Sequence, residues 1–383
     1  MNSGQAVQHA CDSVDIVKEL KALMINHALP LWWREGWDAS RGGFVERLDH
    51  QGNADYVAPR RIRVQARQIY SYAKAAQLGW YPEGRKIAME GLEYLLAKAK
   101  GPDGQPGFVH LIDRNGSTIN PLRDSYDHAF ILLALATVYQ LTGDASVQEE
   151  IRLLWEFLDS HLRSPHGGFI EGIPPALPRR QNPQMHLLEA MIATFDATGD
   201  AVFKSCASDL FRIFVAKLYD RQRQILGEYF EEDWLKIEPS VVEPGHQAEW
   251  VWLLKGFERI TGCPTGEHRS QLLASALRYR DETGCLLDEG DAEGKVRKFT
   301  RRLWPQTEIA KAWIAQAEAG EQGAADQAIV ALARLDKHYL QHSVRGGWYD
   351  QFDCDNQLLV ESIPASSFYH VICAIAEANR VLS

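Results

Sequence analysis

A spacing of about sixty residues, repeated six times, limits what this chain can fold into. Short segments in which glycine precedes an aromatic or apolar residue, followed by polar or acidic ones, punctuate the sequence. They are Gly42-Gly43-Phe44-Val45-Glu46, Gly107-Phe108-Val109-His110, Gly167-Gly168-Phe169-Ile170-Glu171 and Gly346-Gly347-Trp348-Tyr349-Asp350, with weaker members at Gly227-Glu228-Tyr229-Phe230 and Gly284-Cys285-Leu286-Leu287-Asp288. Their anchors, Phe44, Phe108, Phe169, Tyr229, Leu286 and Trp348, step by 64, 61, 60, 57 and 62. A fixed period of this length marks a repeat architecture.

Between these segments apolar residues recur at helical spacing. Glycine and proline breaks and Ser/Thr/Asp caps divide the chain into twelve helices. The expected ranges are 14–35, 62–79, 84–100, 124–143, 145–163, 183–198, 201–221, 244–262, 265–282, 304–318, 324–342 and 364–381. Each unit is then an outer helix, a short β-like excursion and an inner helix. An open stack of such pairs needs polar caps at both ends. The last helix is as apolar as the middle ones, which suits closure against the first. The expected fold is therefore all-α, an (α/α)6 barrel or toroid of twelve helices, forming one domain over residues 1–383. The alternative is an open helical solenoid.

A second series has the same period. Arg67, His128, His186, His246, Glu308 and His370 step by 61, 58, 60, 62 and 62 near the starts of the inner helices. In a closed ring they converge on a central cavity, with Glu249 and Trp304 beside them. Three histidines could bind a metal. They come from three consecutive helices, however, and no His-x-x-x-His or Glu-x-x-His pair is read on any one helix, so no metal or cofactor is expected. Glu249 and Glu308 could serve a glycosidase, but that chemistry has no use for the imidazoles. Imidazoles suit proton shuttling at neutral pH. A carbon beside a carbonyl is an acidic site they could attack, with Arg67 stabilising enediolate oxygens. The Trp304 face suits the C–H face of a sugar.

Composition narrows the function classes. With 41 Lys and Arg against 51 Asp and Glu the net charge is −10, a poor match to nucleic acid. No apolar run reaches the ~20 residues of a membrane span. Met1 to Asp15 lacks the basic start and apolar stretch of a signal peptide. The six cysteines form no Cys-x-x-Cys, so buried free thiols in a cytoplasmic protein are expected. No glycine-rich phosphate loop is present, although Arg301 and Arg302 could receive an anionic substituent. A monomer or homodimer is expected.

The segments Gln65-Ala66-Arg67, Tyr126-Asp127-His128-Ala129-Phe130, Glu243-Pro244-Gly245-His246 with Glu249-Trp250, Trp304-Pro305-Gln306-Thr307-Glu308 and Tyr369-His370 together resemble the N-acylglucosamine 2-epimerase superfamily. The resemblance runs from Leu31-Trp32 to the C-terminus. Val242-Glu243-Pro244-Gly245-His246 and Pro364-Ala365-Ser366-Ser367 with Tyr369-His370 look like its bacterial mannose isomerase branch. The resemblance implies an (α/α)6 barrel and metal-independent interconversion of D-mannose and D-fructose through a cis-enediol(ate). It places His246 and His370 as the two acid/base groups. Arg67, His186, Glu249 and Trp304 hold the sugar or assist proton transfer, and His128 and Glu308 fall on motif positions. Isomerase and sugar 2-epimerase share that intermediate, so residue types leave both outcomes open.

Overall fold

The computed structural model describes residues 16–383. Cys11 and the segment Met1 to Asp15, read above as lacking a signal peptide, lie outside the described residues.

Among the described residues twelve helices alternate between an outer and an inner layer. The outer set is α1 (16–34), α3 (Gly84–Ala99), α5 (Ala145–His161), α7 (Ala201–Ile213), α9 (Gly266–Ala276) and α11 (Ala324–Leu335). The inner set is α2 (Ile62–Gln77), α4 (Ser125–Thr142), α6 (Gln181–Thr198), α8 (Pro244–Thr261), α10 (Leu303–Glu318) and α12 (Phe368–Leu382). Each inner helix packs on the next, and α12 packs on α2, so the ring is closed. The (α/α)6 toroid expected from the repeat is the observed fold, and the open solenoid is set aside.

Local chemistry explains the turns between layers. α4 and α6 each end on a glycine in the left-handed region, Gly143 (φ 66°) and Gly199 (φ 71°). The next residue, Asp144 or Asp200, caps the following outer helix by accepting a backbone N–H. Two residues thus reverse the chain. The expected ranges 201–221 and 324–342 run past the α-helices because π-turns at Phe214–Leu218 and Asp336–Leu340 extend them. The range 265–282 overshoots α9 for another reason. Tyr279 leaves the helix to pack with Ile225, Val242 and Ala292 in a small second core.

The excursions tie neighbouring units together. The two residues before an inner helix pair antiparallel with the excursion of the following unit: Arg60–Arg61 with Leu111–Ile112, Arg123–Asp124 with Gly172–Ile173, and Arg179–Arg180 with Tyr229–Phe230. The pattern continues with Val241–Val242 on Glu289–Asp291 and Arg301–Arg302 on Gln351–Phe352. It closes with Ile363–Pro364 on Arg47–Leu48 of the first unit. Trp32, Trp348 and Phe368 stack across the same junction, the two indoles 5.0 Å apart.

Within four of the six units an inner-helix glutamine grips the excursion. Gln65, Gln184, Gln247 and Gln306 each accept a backbone N–H and donate to the C=O of one residue, which is Phe44, Phe169, Leu226 and Leu286 respectively. The fourth anchor is therefore Leu226, not Tyr229 as the glycine pattern suggested. The grip needs close approach: a Cβ on Gly168 (φ +68°) would lie 2.6 Å from Gln184 Oε1.

Cys206, Cys285 and Cys373 are buried free thiols, Cys263 is half-buried, and Cys354 is exposed, against expectation. Cys354 sits on the 353–357 turn, where backbone N–H groups bond Asp353 rather than a core. Among the described residues no helix is long and apolar enough to cross a membrane.

The buried glutamines make a prediction about stability. Gln184→Ala leaves a buried N–H and C=O of Phe169 without partners, a cost of about 2–4 kcal/mol. Equilibrium urea denaturation measures it, and a loss under about 0.5 kcal/mol would show that the grip is dispensable.

Candidate active site

The glutamine grip fixes the phase of the inner helices. Two residues beyond the gripping position lie Arg67, Phe130, His186, Glu249, Glu308 and His370, all 6% exposed or less. Four of the six residues in the sequence series keep this phase. The other two do not. His128 occupies the gripping position itself, and His246 lies one residue before Gln247.

His128 is placed in the framework. Its Nε2 accepts the Phe108 N–H at 2.9 Å, its Nδ1 donates to the Asp124 carbonyl at 2.7 Å, and its ring stacks on Phe157. Burial pushes its pKa down to about 4. Both nitrogens are used, so the structure does not bring His128 together with the others.

His246 and His370 flank one indole. Trp304 lies 5.0 Å from the His246 ring and 5.8 Å from the His370 ring, centroid to centroid. Gly245 permits this, since a Cβ there would lie 2.5 Å from the indole. Behind His246, Nδ1 faces Glu228 Oε2 at 3.0 Å and Glu243 at 3.7 Å. Burial opposes charge on this ring, but Glu228 and Glu243 outweigh it and raise the pKa to about 10. The ring is an imidazolium at neutral pH. The Asn182 amide nitrogen, Nδ2, lies 3.2 Å from Nε2 and the buried Oδ1 of the same amide has no partner, so a protonated Nε2 is met by an acceptor once that amide is turned over.

His370 is held differently. Its Nδ1 donates to Glu308 Oε1 at 2.8 Å. Burial takes its pKa down to about 4, with Glu308 opposing the shift. His370 is therefore neutral, with its lone pair on Nε2. His186 is likewise pushed down to about 4 by burial, and its Nδ1 donates to Glu189 at 2.9 Å. Glu189 also accepts the Tyr369 hydroxyl. Glu249 lies 3.9 Å from His186 Nε2 and has both oxygens unpartnered. Burial first, and Glu308 second, raise its pKa well above the usual carboxylate range.

Arg67 donates to the Tyr126 hydroxyl at 2.7 Å and the Ser366 carbonyl at 3.1 Å. Its guanidinium lies over Phe130, 4.1 Å from the ring centre, and its Nε is unpartnered. Unpartnered buried polar atoms thus gather on Arg67, Asn182 and Glu249 of the inner helices and on Glu228 of the excursion before α8. Such atoms suit a ligand with several hydroxyls.

Sequence reasoning missed the residues behind the histidines. Glu189 and Lys311 sit one turn below His186 and Glu308, at i+3, a spacing that could have exposed both. Glu228 comes from the excursion before α8, and only its place in the glycine segment hinted at it. Arg301 and Arg302 are not free: Arg301 meets Asp281 and Asn356, and Arg302 meets Asp288.

Among the described residues two groups of side chains could hold a cation. Ligand atoms of Glu228, Glu243 and His246 lie within 4.8 Å of one another, as do those of Glu249, Glu308 and His370. The first contains a Glu-x-x-His spacing, which the sequence reading overlooked because Glu243 is the residue that caps α8. A cavity of about 400 Å³ lies elsewhere, at the opposite mouth of the ring, lined by Lys74, Thr137, Asp196, Trp252, Lys255 and Glu377 among others. It contains none of the residues in either histidine-bearing series.

Comparison with known proteins agrees with this fold. The model of the N-acylglucosamine 2-epimerase family matches residues 42–374. The chain is 34% identical over 392 residues to a mannose-6-phosphate isomerase of Rhizobium meliloti (strain 1021), covering 95% of this chain and 97% of that one. It is 24% identical to a D-mannose isomerase of Marinomonas mediterranea, covering 89% and 92%. The solved structure of cellobiose 2-epimerase from Spirochaeta thermophila DSM 6192 superposes with a TM-score of 0.86 at 21% identity, covering 97% and 98%. This twelve-helix ring belongs to the N-acylglucosamine 2-epimerase family and is an enzyme of the isomerase class.

Proposed function

We propose that the protein is a metal-independent, cytoplasmic aldose–ketose isomerase interconverting D-mannose and D-fructose, with the whole ring acting as one catalytic domain. One observation carries this reading: two histidines stand on either side of Trp304, each with its Nδ1 on a buried carboxylate, Glu228 behind His246 and Glu308 behind His370. A neutral base and a charged acid in one site are what enolisation requires.

The open-chain aldose lies against Trp304. His370 Nε2 removes the C2 proton, and that C–H electron pair forms the C1=C2 bond as the carbonyl oxygen O1 takes up charge. His246 donates its proton to O1, giving the cis-enediol. Arg67 and the protonated Glu249 donate towards the enediol oxygens, and His186, set by Glu189, holds a hydroxyl. Return of the proton from His370 to C1, with the O2 proton passing to the deprotonated His246 as C2=O forms, gives the ketose and restores both rings. Glu308 acts through the His370 ring. His128 serves the scaffold.

A second reading is a sugar 2-epimerase. The opposite protonation states favour it too, because a charged His246 could return a proton to the other face of C2. The names of the two curated relatives support the isomerase. An unphosphorylated sugar is supported by Arg61, Arg180 and Arg302, whose guanidinium groups already meet Glu46, Glu171 and Asp288.

D-mannose incubated in D2O and followed by NMR is expected to yield fructose labelled at C1. Glucose labelled at C2 would select the epimerase, and turnover confined to mannose 6-phosphate would overturn the choice of sugar. Both His246→Ala and His370→Ala should lower kcat by at least ~100-fold with unchanged circular dichroism. Either variant at full rate would remove the mechanism.

The pH profile follows from the two rings. His370 must be neutral, so kcat/KM falls as pH drops through about 4. His246 must be charged, so it falls as pH rises through about 10. A bell centred near pH 7 is expected within the range the fold tolerates. A single-limbed profile over that range would contradict the pairing. Activity should survive exhaustive EDTA treatment; loss reversed by a divalent cation would assign one of the two ligand groups to a metal.

A further inference from the structure

Lys311 is the least expected charge in the molecule. Its side chain has no exposure at all, and its ammonium lies 2.7 Å from Glu308 Oε2 and 3.9 Å from the centre of the Trp252 ring. A buried ammonium is costly unless something holds it. The groups facing it are Glu308 on its own helix, Glu249 and Trp252 from α8, Tyr369 and Cys373 from α12, and Glu189 from α6. Glu308 is the near one. Its other oxygen takes the Nδ1 proton of His370. Lysine, glutamate and histidine thus form one line from the ring interior to the base.

Glu308 and Glu249 also adjoin each other. Two neighbouring buried carboxylates cannot both stay ionised without a counter-charge. Burial works to protonate Glu308, but Lys311 and His370 together hold its pKa at about 2, while Glu249 is left protonated. The lysine decides which carboxylate carries the charge.

We propose that Lys311 is a positioning residue of this site: its ammonium keeps the negative charge on Glu308, and through Glu308 it fixes the tautomer and orientation of His370. Without that charge Glu308 no longer demands the Nδ1 proton. The lone pair then has no reason to stay on Nε2, where the substrate carbon is met. The inference rests on His370 being the base proposed above.

A double-mutant cycle tests it. Lys311→Met is expected to lower kcat by about 10–100-fold with KM within about threefold, and Glu308→Gln to do the same. Because the lysine acts through the glutamate, Glu308→Gln/Lys311→Met should be no slower than Glu308→Gln by more than about threefold. Losses that multiply, or a Lys311→Met enzyme at full rate, would overturn the proposal. Lys311→Met alone leaves a buried carboxylate unpaired and is at risk of misfolding. The double variant removes both charges and keeps the volume, so its comparison with Glu308→Gln still decides the matter. Nitrogen-15 NMR of the histidine rings gives a readout independent of turnover. His370 is expected as the Nδ1–H tautomer in the wild type and to lose it in Lys311→Met. An unchanged tautomer overturns the role of Lys311 even if no sugar is turned over, whereas absent turnover with the expected tautomer change refutes only the proposed function.

Discussion

The ring depends on one kind of contact, the grip of an inner-helix side chain on the backbone of its excursion. A glutamine amide that both accepts and donates to a single buried residue leaves no freedom of phase. Once that phase is set, the residue two positions later points to the ring centre, whatever its chemistry. The second unit performs the grip with His128 and the sixth replaces it with Phe368 stacked on Trp348. The scaffold is therefore sixfold in geometry while its centre is free to be asymmetric.

Closure has the same origin. Six strand pairs join the start of one inner helix to the excursion of the following unit, so every unit depends on a neighbour for part of its sheet contacts. The sixth unit finds its partner only in the first. A chain with these segments and an apolar last helix has one arrangement that leaves no strand edge or helix face unpaired, and that is a circle.

Period and helix positions were legible in the sequence because both arise from local signals: glycines with positive φ, aspartate caps and apolar spacing. Phase was not. His128 sits two residues and His246 three residues before the positions that face the cavity, and a spacing near sixty cannot resolve two or three residues on a helix that turns every 3.6. Contacts across units were hidden as well. Glu228 reaches His246 from an excursion eighteen residues earlier, and Tyr369 reaches Glu189 from a helix on another side of the ring. The family resemblance supplied His246 and His370, where periodicity alone gave His246 a false equivalence with Arg67.

The ring has two unlike mouths, and the helix dipole distinguishes them. At one end six inner helices present their N-termini, the positive end of the macrodipole, to the residues that meet the sugar in the proposed mechanism. That field favours an enediolate and opposes charge on a histidine. His370 and His186, kept neutral by burial, do not oppose it. His246 alone defies it, and it needs both Glu228 and Glu243 to do so. At the other mouth, where the cavity of about 400 Å³ opens, the helices present their C-termini. The field there has the wrong sign for an oxyanion. Size would point to that cavity, but charge points to the opposite end, and proton transfer at carbon is decided by charge.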